Sequence, residues 1–367
     1  MRSMPWAMTL ILLATGALVW RAEAFAAADR IVFVSNHEGD AQIYRINSDG
    51  GDFRALTTGP GENTQPAWSP DGRRIAFTSL RDGNMNIYVM DADGSNPRRL
   101  TDHVQPDNLP SWSPDGRQIL FRSYRDRHAD LFVMDADGGN LRRLTDSAAD
   151  KGDPCWSPDG RRIAYVLYGE AGKSQIHILS ADGSDDRDVT SAISKDRKFQ
   201  PAWSPDGGKL AFVSAKSGRE SHIHIINADG SNPINLTENP FINRMPAWSP
   251  DGRRIAFVSN RTEAKIGRAE GDLYLMNVDG SGVINLTRHS ANDDEPAWSA
   301  DGNALYFLSM RNGPSQIFRL RLDAGPPERI TSHGAHDLMF RSHSSPEVAG
   351  SAAGLSSAVP VVGFSLP

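Results

Sequence analysis

The amino-acid sequence predicts an all-β fold, a β-propeller of four-stranded blades, and three observations carry that prediction. The stretch PAWSPDGRRIAF (Pro66–Phe77) returns letter for letter at Pro246–Phe257, with looser copies between and after. Its tryptophans, Trp68, Trp112, Trp156, Trp203, Trp248 and Trp298, follow one another at intervals of 44, 44, 47, 45 and 50 residues. One four-stranded blade takes roughly 40–45 residues, so the period matches. Nothing in the repeat has the ~3.6-residue apolar period of an amphipathic helix.

The elements follow in order from the copy at Pro66. PAW opens a first strand, and SPDG (Ser69–Gly72) turns it back. Pro70 presets φ at the first corner of a type I turn, Asp71 tolerates the second, and Gly72 takes the left-handed position that follows. RIAFTS (Arg74–Ser79) alternates apolar and polar residues of β-branched and aromatic type, a second strand. The loop LRDGNMN leads to IYVMDA (Ile87–Ala92), the third strand. Asp93-Gly94 opens the next hairpin, and RRLT (Arg98–Thr101) is a short outer strand. Backbone geometry demands the Pro, Asp and Gly of the motif, and packing between sheets demands its Trp. The repeat is therefore a construction unit rather than a working site. DADG (Asp91–Gly94, Asp135–Gly138) and its relatives resemble the opening of an EF-hand loop, but the Gly and Glu that such a loop needs further on are missing. They are Asp-Gly turns.

The chain enters in mid-blade. IVFVS (Ile31–Ser35), IYRINSDG (Ile43–Gly50) and RALT (Arg54–Thr57) supply second, third and fourth strands without a first. Six motif-bearing units follow, making seven blades, with six as the alternative should the final segment stay unpaired. HDLMFRSH (His336–His343) lies where the missing first strand is due. Laid against NLPSWS (Asn108–Ser113), it puts Arg341 in the tryptophan position. A ring closed this way removes free sheet edges. The propeller is thus expected over 25–343, and the Ser/Ala/Gly/Pro-rich 344–367 is expected to be a disordered tail.

Residues 1–24 are expected to be a signal peptide. Arg2 precedes an apolar run of 15 residues, Trp6–Trp20, and Ala22-Glu23-Ala24 supplies small residues for cleavage. A membrane span needs roughly 20 residues, and no other segment resembles one. The sole cysteine, Cys155, forbids an intramolecular disulfide and stands where sister repeats place Ala67, Ser111 and Ala202, the position of a small buried filler. A hydrophobic share of 39% with 23% charged residues is ordinary for a soluble globular chain. The net charge of −6, without a basic block, gives no electrostatic footprint for nucleic acid.

Through its WSPDG repeats, over roughly residues 30–343, the chain resembles the TolB-type propellers of the bacterial envelope. That resemblance implies an exported, periplasmic protein acting as a non-catalytic protein-binding or scaffold module in Tol–Pal-like envelope organisation. It also implies a partner resembling the peptidoglycan-associated lipoprotein; a peptide or carbohydrate ligand is the other class. The family's namesake carries an α/β domain ahead of its propeller, whereas here only a few residues separate the leader from the first strand. No lipoprotein-contacting residue is carried over by motif, and a monomer is expected.

Strand connectivity puts the SPDG and DADG turns on one face of the disc. The opposite face gathers the loops joining strands two and three and those joining successive blades, where sequence varies and binding residues concentrate. Arg81, Arg125, Arg261 and Arg311 each stand two residues beyond the Ser that ends a second strand. Glu62, Asp107, Asp153 and Glu295, joined by Asp293 and Asp294, stand in the interblade loops just ahead of the first strands. Together they would make a mixed-charge funnel for a ligand or a partner's tip; the plainer reading is that each arginine pairs with an acid of the adjacent blade. The longest loop, Asn260–Asp272, breaks the symmetry. No G-x-S-x-G or H-E-x-x-H signature occurs. His222 and His224 share a strand face without a third ligand, so no metal, cofactor or catalytic residue is assigned. The alternative function is a carbohydrate-active enzyme, an oligogalacturonate-lyase-like propeller working at the channel mouth with catalytic groups scattered singly on variable loops.

Overall fold

The structure, a computed structural model, describes residues 30–343 apart from 38, 194–195, 218–219, 263–269 and 324. The expected leader and tail lie outside the described residues, as does most of the long Asn260–Asp272 loop. Seven four-stranded antiparallel sheets make up the described residues, each in the order first, second, third, fourth strand. The first strand of every blade lies beside that of the next, from blade 1 around to blade 7 and back, so the ring is closed and these strands line its axis. Seven blades, not six, is the observed number.

Blade 1 joins both ends of the described chain. Its second to fourth strands are Arg30–Ser35, Gln42–Asn47 and Arg54–Ala55, and its first is Asp337–His343. The register differs by one residue from the sequence alignment: Ile31 faces Ser342, as Ile75 faces Trp68, so Ser342 rather than Arg341 occupies the tryptophan position. The first strands also begin earlier than PAW, at Asn63 in blade 2, because the residues ahead of the proline pair with the end of strand two.

The motif residues hold the blades together. In blades 3 to 7 the indole N–H donates to the carbonyl of the residue just before the preceding blade's tryptophan: Trp112 to Ala67, Trp156 to Ser111, Trp203 to Cys155, Trp248 to Ala202 and Trp298 to Ala247, at 3.0–3.3 Å. The arginine opening strand two lies over the following blade's indole at 4.6–5.2 Å, as Arg30 does on Trp68 and Arg74 on Trp112. Its guanidinium reaches the next SPDG glycine carbonyl, at 2.8 Å from Arg162 to Gly207. Within each SPDG turn the Ser hydroxyl meets the Asp carboxylate at 2.5–2.6 Å, and the glycine sits at φ of 63° to 70°. The Ser204 hydroxyl and the Gly208 N–H hold the Asp206 carboxyl below the usual carboxylate range.

Two further features repeat in all seven blades. An aromatic or histidine pair links strands two and three, from Phe33–Tyr44 to Phe307–Phe318, with ring centroids 5.4–5.9 Å apart. The threonine of the outer strand's LT or its equivalent accepts an N–H from the start of strand three, at 2.8–3.1 Å. That threonine is buried in six blades and partly buried, as Thr287, in blade 6. Cys155 is buried against the next blade's core, as a small filler would be.

If the indole seam carries the ring, Trp248→Ala should cost about 3–5 kcal/mol. Urea denaturation of the full chain measures this, and a loss under about 1 kcal/mol would contradict the assignment.

Candidate functional site at the channel mouth

The loops joining strands two and three and those joining blades meet at one end of the channel, opposite the Asp-Gly turns. The first strand of each blade carries a bulge there, opposite the strand-two aromatic residue. At the bulge Gln65, Leu109, Asp153, Gln200, Met245 and Glu295 all adopt left-handed backbone, with φ between 49° and 57°. Such a conformation costs a non-glycine residue of order 1–2 kcal/mol. Side chains of the same ring partly offset it: Gln65 accepts the Leu109 N–H at 2.9 Å, Asp153 that of Gln200 at 3.2 Å, and Gln200 that of Met245 at 2.9 Å.

The four predicted arginines are indeed placed alike, but they serve their own blades. Each lays its guanidinium over the aromatic pair beneath it, 4.5–4.9 Å from the strand-three ring, and donates through Nε to the Ser that ends strand two, at 2.8–3.0 Å. Its other end reaches the residue five positions before the same blade's tryptophan: Asn63 for Arg81, Asp107 for Arg125, Asn243 for Arg261 and Asp293 for Arg311, at 2.8–3.1 Å. Pairing with acids of an adjacent blade is therefore corrected. Cross-strand register explains it, since that residue lies directly opposite the Ser from which the arginine loop springs.

Of the predicted acids, Asp107 and Asp293 are fully buried in these pairs. Glu62 stands exposed one residue ahead of Asn63, and its carbonyl accepts the Leu80 N–H at 2.9 Å. Asp153 and Glu295 lie on the bulge ring. Burial pushes the Asp153 carboxyl up to about 6 against the Gln200 N–H and the Arg122 charge, which lower it. Asp294 pairs across the blade seam with Arg244, at 2.5 Å.

Blades 4 and 5 break the pattern. Lys151 and Lys198 replace the Asn or Asp, and Gly169 and Lys216 replace the arginine. Lys151 is buried, with its ammonium 2.6 Å from Asp130 of blade 3, which also binds Arg143. Sequence reasoning missed these lysines, the asparagines 63 and 243, and Arg244. Their shared signal is the fixed distance to the tryptophan.

A cleft of about 410 Å³ opens at the mouth between blades 6 and 7, lined by Arg244, Glu270, Asn292, Asp294 and Met310. Met310 stands 45% exposed on its rim. Elsewhere, His222 spends both ring nitrogens, on the Thr237 carbonyl at 2.7 Å and on Glu220 at 3.1 Å. His224 stacks on Phe212, and burial holds its imidazole down to about 4. Among the described residues no group of three His, Cys, Asp or Glu side chains is placed to hold a metal ion.

The sequence model of the TolB beta propeller domain matches residues 56–152, 130–268 and 263–349. The chain belongs to the TolB beta-propeller family. The putative TolB of Agrobacterium tumefaciens is similar at 26% identity, over 67% of this chain and 86% of its own, with a TM-score of 0.51. An oligogalacturonate lyase solved with manganese aligns at 18% identity over 80% of this chain and 86% of its own, TM-score 0.67. A puromycin hydrolase aligns at 17% identity over 85% of this chain but 54% of its own, TM-score 0.67. The last two likenesses are of fold alone. No curated protein matches the chain. Among the described residues of this TolB-family propeller no helix is long and apolar enough to cross a membrane.

Two outcomes test the mouth. Arg311→Met keeps the stem over Phe318 but strands a buried carboxylate, so it should cost about 3–5 kcal/mol, whereas Arg81→Met, which faces neutral Asn63, should cost about 1–3. Equal losses in chemical denaturation would refute the pairing. Asp153 favours its protonated form when folded, so its contribution is full below the ordinary carboxylate range and is lost as pH rises through about 6. Asp153→Asn, which keeps the acceptor for Gln200, should match the parent near pH 4 and exceed it above pH 7 by on the order of 2–3 kcal/mol. Stability curves at both pH values decide.

Proposed function

We propose that the chain is an exported, periplasmic propeller that binds a segment of an envelope protein at its channel mouth without turning it over. The motif residues are consumed by the seams and turns of the ring, which leaves recognition to positions that differ from blade to blade. The cleft at Arg244, Asp294 and Met310 carries this reading: it pairs a half-exposed apolar anchor with opposite charges on neighbouring blades, and its volume suits a few side chains of a partner. The arginine pairs at Asp107 and Asp293 are buried scaffold of the mouth rather than contacts. Membership of the TolB family and the apolar leader support an envelope setting, and a partner resembling the peptidoglycan-associated lipoprotein is the first to test.

A photoreactive residue at Met310 should cross-link to one envelope protein, while the same residue at Asp93 on the opposite face should not. Arg244→Glu should weaken purified binding by on the order of tenfold or more. Labelling equal from both faces would refute the mouth as the site. Release of unsaturated products from oligogalacturonate by the purified chain would replace this reading with the lyase.

A further inference from the structure

Blade 1 is made from two distant parts of the chain, and its joint departs from its sisters. In blade 2 the first-strand residue Asn63 does two things: its amide N–H donates to Gln42 Oε1 of the preceding blade at 2.8 Å, and its oxygen accepts Arg81. Asp337 holds the same position in the closing strand, since it faces Ser35 as Asn63 faces Ser79. Gln316 opens the third strand of blade 7 as Gln42 opens that of blade 1. The arginine is gone: two residues after Ser35 stands His37, which packs against Tyr44, Phe53 and His333.

Asp337 is thus fully buried without the cation that Asp107 and Asp293 enjoy. Its carboxyl receives the Thr331 hydroxyl, and its Oδ1 lies 3.1 Å from His333 Nε2. Asp337 Oδ1, both ring nitrogens of His333 and Gln316 Oε1 are buried without a hydrogen bond. A proton on Asp337 Oδ1 lets the neutral acid donate to His333 Nε2, as the Asn63 amide donates to Gln42. Other titratable or charged groups near the pair are His37, whose ring is 4.9 Å from that of His333, Arg329, Tyr44 and His336.

We propose that the closing strand is a proton-dependent latch, in which a proton held between Asp337 and His333 keeps the ring shut and its loss loosens Asp337–His343 from Arg30–Ser35. Burial pushes the Asp337 carboxyl up to about 7, against the Thr331 and Ser35 hydroxyls, which lower it. The sign follows: a carboxyl raised in the folded state stabilises below its unfolded range, and that contribution disappears as pH rises through about 7. Burial and His37 hold His333 below its ordinary value, so it is neutral in this window and acts as an acceptor.

Hydrogen exchange on the full-length chain tests the latch, with rates corrected for intrinsic exchange and compared with the equivalent strand Asp293–Trp298. Protection of the closing strand is expected to fall by about tenfold or more between about pH 6 and about pH 9, while the reference strand holds. Asp337→Asn restores the blade 2 arrangement and should abolish the fall. His37→Arg, at an exposed position, supplies the missing cation and should do the same by another route. Unchanged protection of the parent across this range, or an undiminished fall in His37→Arg, would overturn the latch. The parent profile and His37→Arg remain decisive should Asp337→Asn fold poorly.

Discussion

A four-stranded sheet of this size cannot cover its own faces, and the bond from the indole N–H of blades 3 to 7 to the preceding blade's strand-one carbonyl answers that constraint. It sets the angle and spacing between blades at the narrow end of the wedge, where the first strands crowd together. The arginine stacked on the outer side of the same ring excludes water and ties the indole to the next turn. SPDG geometry follows, because the turn must present a glycine carbonyl to that arginine and leave room for the neighbouring proline, which stands 3.6 Å from where a Cβ of Gly116 would be. Tryptophan, arginine, proline and glycine therefore recur together because one seam uses all of them.

That coupling explains what was legible in the sequence. Strand order, turn chemistry and blade number follow from a repeat written six times, because each copy answers the same packing problem. The closing strand was misaligned by one residue because Ser342 replaces the tryptophan and no SPDG turn marks its end. The left-handed bulge was invisible for a different reason. It is imposed by the closed ring on Gln, Leu, Asp, Met and Glu alike, with no glycine to announce it. The arginines were located, yet their partners were assigned to the wrong blade. Proximity in sequence suggested the acids of the interblade loops, whereas cross-strand register selects the residue opposite the serine.

Function is harder to read because the mouth uses two vocabularies. Residues such as Arg125 with Asp107 look like a charged binding funnel and are buried scaffolding. Arg244 with Asp294 occupies the next position along the same strands and faces a cleft. The difference lies in strand alternation, which points one residue toward its own blade's arginine and its neighbour across the seam to the next blade. A charged residue here has meaning only once its register is known.

Seven near-copies also supply an internal control that a single-copy fold lacks. Where six blades solve a local problem with amide, serine or cation, a departure in the seventh cannot be attributed to the general demands of the architecture. Lys151 shows a departure that is compensated, since Asp130 and Arg143 complete a buried network around it. Asp337 shows one that is compensated only by a proton. Both sit at the same position in the blade, and both are buried. They differ in what the preceding blade offers: a carboxylate in one case, a glutamine oxygen and a histidine in the other. The chemistry of the closing joint is thus set by blade 7 as much as by the strand that closes the ring. A substitution at Gln316 or His333 would alter ring closure without touching the strand itself.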